Sequence, residues 1–288
     1  MKCIGRNGFN CTQKSSVKSG FTELDKITGG WNNGDLIVVG GRPAMGKTAF
    51  GMSMLRNISI RNRIPTAFFS LEYSTKQLID RFCNILSRVE CGKTYDYQEG
   101  DASALSKEEL LQIEDAKKQI DIAPICFDDT PALTMQELYK KTIRLISDFQ
   151  VKLIVVDYLQ LMSGSGLSYS NRQEAAACIV RGLKTLAKNL NVPIVAFSQL
   201  NRGIENRGDI NEKRPQLNDF GEFQTIEQDA DVVCFIHRPE YYRIYTDENG
   251  NDLRGIAEII VAKNRNGKTG DIRLKFDCGC RGFEALYE

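Results

Sequence analysis

Gly41-Arg42-Pro43-Ala44-Met45-Gly46-Lys47-Thr48-Ala49 sets two glycines, a lysine and a hydroxyl at the spacing of a phosphate-binding loop. Each residue type has a task there. The glycines let the backbone turn tightly and aim its N–H groups inward as an anion nest. A helix opening at Lys47 adds free N–H groups and the positive end of its dipole. Lys47 then reaches the β- and γ-phosphates, and the Thr48 hydroxyl sits on a magnesium ion. The apolar run Leu36-Ile37-Val38-Val39 before the loop reads as the strand such a loop must follow. Gly92-Lys93-Thr94 and Gly267-Lys268-Thr269 repeat the last three letters, but Ser87 and Ala262 stand where the first glycine is needed. The chemistry pointed to is binding of a nucleoside triphosphate.

Further polar residues follow apolar runs. Glu72 comes just after Thr66-Ala67-Phe68-Phe69-Ser70, and Asp157 ends Leu153-Ile154-Val155-Val156. Gln199 follows Pro193-Ile194-Val195-Ala196-Phe197-Ser198. The carboxyl ends of parallel strands form the ligand edge of an open α/β sheet. There Glu72 suits a general base, or simply an acid at a helix start. Asp157 suits a magnesium carboxylate, and Gln199 a sensor of the γ-phosphate.

The elements that must carry these residues alternate. Helices are expected from Lys47 to about Arg61, from a Ser74 cap onward past Arg81, from a Ser106 capping box through Ile120, and from a Thr134 cap to about Phe149. Tyr95 to Gly100 reads as a loop, Ser163 to Ser170 as a small-residue loop, and Leu200 to about Gln224 as a long polar one. A long helix with Arg172, Arg181, Lys184 and Lys188 lies between the last two; those charges either track a nucleic-acid backbone or form a solvated face. Asp231 to Ile236, Gly255 to Val261 and Asp271 to Phe276 read as closing strands, with an Asn-Gly hairpin tip inside Tyr245 to Asp252. The expected fold is α/β, a mainly parallel sheet with helices on both faces and antiparallel pairing toward the end. Residues 1–19 read as a flexible or packing arm and 20–288 as one domain.

The 288 residues carry 38 basic and 37 acidic side chains, so no strongly basic surface is available as a whole. Nine cysteines without a CxxC pair argue against structural zinc, and one histidine against a multi-histidine metal site. No apolar run approaches membrane-spanning length, and the expected compartment is the cytoplasm.

The ordered set of motifs resembles the C-terminal motor domain of DnaB-type replicative DNA helicases, a RecA-like P-loop fold. It comprises Gly20-Phe21-Thr22-Glu23-Leu24-Asp25, the phosphate loop, Ser70-Leu71-Glu72 and Val156-Asp157-Tyr158-Leu159-Gln160-Leu161. Then come Phe197-Ser198-Gln199-Leu200, Ile226-Glu227-Gln228-Asp229-Ala230-Asp231 and Lys263-Asn264-Arg265-Asn266-Gly267. The resemblance implies ATP and Mg2+ as ligands, with Arg81 joining Gly41 to Ala49 in nucleotide binding. It implies Lys47, Glu72 and Gln199 as catalytic groups, with Lys263 and an arginine finger, Arg265, acting on a neighbouring subunit. It implies a hexameric ring around single-stranded DNA, translocation 5′ to 3′, and a helicase loader or primase as partner. Where the family reads Asp-Leu-Arg-Glu-Ser-Gly, this chain has Asp219-Phe220-Gly221-Glu222-Phe223-Gln224. DNA contact through Glu222 and the loop residues Arg202, Arg207, Lys213 and Arg214 is the expectation, with affinity reduced, carried by those residues, or lost. The alternative is a RecA-like ATPase switch or adaptor that does not unwind; a small-molecule kinase lacks an acceptor segment.

Overall fold

A run without a polar face must be covered on both sides, and Leu36-Ile37-Val38-Val39 is the central case. In the computed structural model, which describes residues 16–163, 171–208 and 211–286, all four side chains are fully buried. Ile37 and Val39 enter one hydrophobic core, Leu36 and Val38 the other. The alternation is that of a strand between two helical layers.

The chain begins with Ser16–Val17 (β1), Thr22–Thr28 (α1) and Trp31–Asn32 (β2), then reaches Leu36–Gly41 (β3) and Lys47–Leu55 (α2). Thr66–Ser70 (β4), Thr75–Ser87 (α3), Cys91–Gln98 (α4), Lys107–Asp121 (α5) and Ile125–Asp128 (β5) follow. Next are Met135–Phe149 (α6), Leu153–Asp157 (β6), Arg172–Leu190 (α7) and Ile194–Gln199 (β7). Ile226–Asp229 (α8), Val232–His237 (β8), Ile256–Asn264 (β9), Gly270–Asp277 (β10) and Gly282–Ala285 (β11) complete the order.

Nine strands form one sheet in the order β11-β10-β9-β8-β3-β7-β6-β4-β5. From β8 to β5 every pairing is parallel; β9, β10 and β11 extend it antiparallel. The carboxyl ends of β3, β4, β6 and β7 therefore share one edge, as the α/β pattern predicts. Capping boxes form at Ser74–Gln77, Ser106–Glu109 and Thr134–Glu137, each satisfying two backbone donors that a helix start leaves free.

Several expectations need correction. The Lys47 helix does reach Arg61, but it is α-helical only to Leu55 and continues as wider π-helical turns over Arg56–Arg61. Tyr95 to Gly100, read as a loop, lies largely inside α4. The sheet does not close at Phe276, because β11 pairs with β10 beyond it. At the other end, Ser16 and Val17, in the segment read as a flexible or packing arm, pair with Asn32 and Trp31. Most of the arm and of the Ser163 to Ser170 loop lies outside the described residues. The Leu200 to Gln224 segment is built of short 3₁₀ turns. In it Gly221 has φ 59° and ψ −116°, which a side chain with a Cβ tolerates poorly.

Candidate nucleotide-hydrolysis site

The loop after β3 turns through left-handed backbone at Ala44 (φ 65°) and Gly46 (φ 92°), then enters α2 at Lys47. Two left-handed positions so close together curl successive N–H groups toward one point. A cavity of about 510 Å3 opens there, lined by Pro43, Ala44, Gly46, Lys47, Thr48 and Ala49. Glu72, Arg81 and Gln199 stand on its other walls.

Lys47 is parked on its own loop, donating from Nζ to the carbonyls of Gly41 (3.0 Å) and Arg42 (3.3 Å). Burial lowers its basicity, while the charges of Asp157 and Glu72 oppose that shift. Thr48 Oγ1 donates to Asp157 Oδ2 at 2.6 Å. Asp157 is 1% exposed, and its Oδ1 has no hydrogen-bond partner. Burial pushes its carboxyl up to about 6, against the Thr48 hydrogen bond and the charge of Lys47. A buried oxygen without a donor beside a threonine hydroxyl suits a hard cation with oxygen ligands.

Glu72 is exposed at the cavity rim and makes no hydrogen bond or ion pair among the described residues. Gln199 is held through its backbone: its N–H donates to Gln160 Oε1 (3.1 Å) and its carbonyl accepts from Gln160 Nε2 (3.0 Å). The Gln199 side chain is left facing the cavity. Arg81 lies over the Tyr73 ring at 3.7 Å, and both line the wall.

Two loop side chains, those of Arg42 and Met45, turn away from the cavity, so these residues could meet a ligand only through their backbone. Arg42 is buried, with Nε on Glu205 (3.0 Å) and Nη1 on the Leu200 carbonyl (2.8 Å). Met45 is 1% exposed and belongs to the core. Arg42 thus links the phosphate loop to the segment after β7.

The remaining predicted residues are spread out. Arg202 and Glu222 line an adjoining cavity with Gln199, Gly221 and Arg172. Arg207 pairs with buried Asp219 (2.5 Å) and donates to the carbonyls of Glu212 and Arg214. Arg214 pairs with Asp271 (2.7 Å) and Glu258 (3.3 Å), and Lys213 lies 5.7 Å from the centre of the Tyr242 ring. Both Arg207 and Arg214 are therefore committed within the chain. Lys263 donates to the carbonyls of Glu227, Gln228 and Ala230, closing the end of α8. Arg265 sits on Asp231 (3.4 Å) and the Gln228 carbonyl (2.5 Å). On α7, Lys184 and Arg181 hold Asp231 and Asp229.

Arg238, Phe276, Cys278 and Arg281 also wall the cavity and escaped the sequence reading. Arg238 donates to the Ala44 carbonyl (3.1 Å) and to Cys278 Sγ (3.4 Å), with Phe276 under its guanidinium at 3.9 Å. Its place just past the end of β8, next to β3, was the available signal. Cys278 is part of the same wall.

With that geometry in view, comparison decides the family. The model for the DnaB-like helicase C-terminal domain matches residues 16–285. The chain belongs to that family. It is 40% identical over 262 residues to the replicative DNA helicase DnaB of Geobacillus stearothermophilus, covering 91% of this chain and 55% of the relative. With the DnaB helicase of Pasteurella multocida it shares 41% over 288 residues, all of this chain and 58% of the relative. It thus spans little more than half of these relatives. The solved ATPase domain of G40P superposes with a TM-score of 0.84 at 30% identity, covering 96% of this chain and 93% of that one. A DnaB-like replicative helicase, solved in a study of its interactions with primase, gives 0.82 at 30% identity, with coverage of 95% and 62%. The fold is therefore RecA-like, as in the DnaB-family ATPase domains. Among the described residues no helix is long and apolar enough to cross a membrane.

Proposed function

We propose that the chain is the motor of a replicative DNA helicase, hydrolysing ATP with magnesium to move 5′ to 3′ on single-stranded DNA and unwind duplex. The observation that carries this reading is the convergence of Lys47, Thr48, Asp157, Glu72 and Gln199 on one cavity edge. A small-molecule kinase would need the same phosphate grip, but the family and the names of its members favour the motor. The same names favour it over a switch or adaptor without unwinding.

Each residue then has a task. Lys47 leaves the Gly41 and Arg42 carbonyls for the β- and γ-phosphates. Glu72 accepts a proton from the attacking water, for which an exposed, unpaired carboxylate at the rim is suited. Gln199, fixed by Gln160, meets the γ-phosphate. Thr48 and Asp157 would hold the magnesium ion, and the orphaned Oδ1 fits that task. When bound, the ion neutralises charge on the phosphate oxygens. Arg265, with Lys263 beside it, would leave its own chain and complete the site of a neighbour in a hexameric ring. Arg202 and Glu222, beside Gln199, would meet single-stranded DNA at the ring's inner surface; a loader or primase would bind the assembled ring.

ATP hydrolysis measured against protein concentration, with and without single-stranded DNA and with Lys47→Ala as the blank, tests the proposal. A rate per chain that climbs with concentration and again with DNA is expected. A rate flat in both would remove the shared-site motor and bring forward the switch.

A further inference from the structure

A second cavity, of about 260 Å3, lies at the other end of the phosphate-loop helix. α2 carries Lys47 and Thr48 at its start; its continuation brings Arg56 to this cavity, roughly 14 Å along the axis. β11 makes the same connection. The turn before it places Cys278 and Arg281 on the nucleotide cavity, and its far end places Glu284 on this one.

Three guanidinium groups converge here: Arg56 and Arg61 from the helix continuation and Arg88 from the end of α3. The Arg56 side chain is 9% exposed. It donates to the Phe283 carbonyl (2.8 Å) and, weakly, to Asn57 Oδ1 (3.4 Å), and stands 3.6 Å from Glu284 Oε1. Arg88 takes the same Glu284 oxygen at 2.7 Å. Arg61 is exposed and has no hydrogen bond or ion pair among the described residues. Among the described residues lining this cavity, one carboxylate faces three cations.

Helix ends do not balance this charge. The two helix C-termini that meet here contribute about half a negative charge each. With Glu284 they leave the cluster positive. Burial and then repulsion from Arg61 hold the Arg56 guanidinium below its ordinary basicity, and Arg88 adds to that repulsion. Arg56 cannot escape by turning outward, since its stem and two of its nitrogens are packed against β11 and Asn57.

We propose that this cavity is a second anion site, separate from the nucleotide pocket, in which Arg56, Arg61 and Arg88 hold a single phosphate group. Three guanidinium forks on separate parts of the wall match a tetrahedral oxyanion with an oxygen for each, whereas a carboxylate offers two oxygens in one plane. The cavity is local, walled on its remaining side by Gly20, Phe21 and Thr22, and not a groove that would follow a nucleic-acid strand. Its phosphate comes free in solution or on a small ester.

The test uses the whole chain carrying Lys47→Ala, so that the phosphate loop contributes least. Calorimetric titration is done with inorganic phosphate and with AMP, and melting is followed with and without phosphate. Phosphate should bind and raise the melting temperature. Arg61→Ala and Arg88→Ala should each weaken binding by about tenfold or more. Arg61→Lys should keep part of it. Without phosphate, Arg61→Ala should melt no lower than its parent, because it removes a repelling charge. Equal affinity for phosphate and AMP assigns the free ion, and tighter AMP an ester; both support the site. No measurable binding, or binding unchanged by both alanine substitutions, would overturn it and leave the arginines as a clamp on β11.

Discussion

The parallel half of the sheet and its antiparallel extension treat polar side chains in opposite ways. At the ends of β4, β6 and β7 the polar groups keep unused valence. Glu72 has no partner among the described residues, Asp157 Oδ1 is orphaned, and the Gln199 side chain faces open space. Around β8, β9 and β10 three candidate cations are occupied: Arg214 on Asp271 and Glu258, Lys263 on three carbonyls, Arg265 on Asp231 and Gln228. On the proposed reading, the first set waits for a ligand in place, whereas Arg265 would have to exchange its own contacts for a neighbour's. Arg265 is half-exposed in this pair, and buried Asp231 keeps Lys184 and the Leu36 N–H when Arg265 leaves, so the exchange costs only about 1 kcal/mol or less.

The contrast can be broken most visibly at Arg265. Arg265→Ala should lower hydrolysis by about 10³- to 10⁵-fold at concentrations where chains assemble. Unfolding free energy should shift by less than about 1 kcal/mol; a large stability loss with intact hydrolysis would make Arg265 purely structural. Glu72→Gln should slow single-turnover hydrolysis by about 10²- to 10⁴-fold while nucleotide affinity holds.

Asp157→Asn should raise the melting temperature in magnesium-free buffer at neutral pH, as hydrolysis is lost. The folded chain keeps the Asp157 proton up to about 6 and the unfolded chain only to 3.8, so ionisation across that interval costs stability, about 3 kcal/mol at most. Asparagine removes the cost and can still accept from Thr48.

The antiparallel side supplies the opposite sign. Burial, and then the charge of Arg214, lower His237 to about 4, so the folded chain refuses a proton that the unfolded chain takes below 6.5. Stability should fall by about 3 kcal/mol as pH drops from 6.5 to 4. His237→Gln should flatten that part of a denaturant series. Smallest is Gln160→Leu, which strips the Gln199 backbone of its partners. It should cost about 1–3 kcal/mol and raise KM less than it lowers kcat.

What the sequence made legible were features carried by short, contiguous signals. The phosphate loop's backbone turn, the buried strands and the three helix caps each sit within a few residues, and each formed where expected. α4 was missed because none of its side chains is buried, so no apolar period marks it; the helix is tied instead through Cys91 N–H to the Gly279 carbonyl. β11 was missed because four residues after a tight turn give too short a pattern, although Phe283 packs fully into the core. The motif places Arg42 in the phosphate loop but did not show that its side chain turns to Leu200 and Glu205, 158 and 163 residues away in sequence. The wall formed by Arg238, Phe276, Cys278 and Arg281 is equally remote from the loop it faces. A motif gives the backbone course; side-chain direction depends on partners that only the fold supplies.

The central place of β3 has a consequence for how the chain is made. Its backbone and flanking residues wait for partners that lie far downstream, as with Leu36 and Asp231, 195 residues apart. During synthesis the phosphate-loop strand therefore leaves the ribosome with both edges bare and stays so until most of the polypeptide exists. Long-range pairing of this kind folds slowly and exposes strand edges to other chains. A nascent chain that stalls before β7 would carry a complete phosphate-loop motif with no strand on either side of β3 to hold it, and it should depend on chaperones more than the finished protein does.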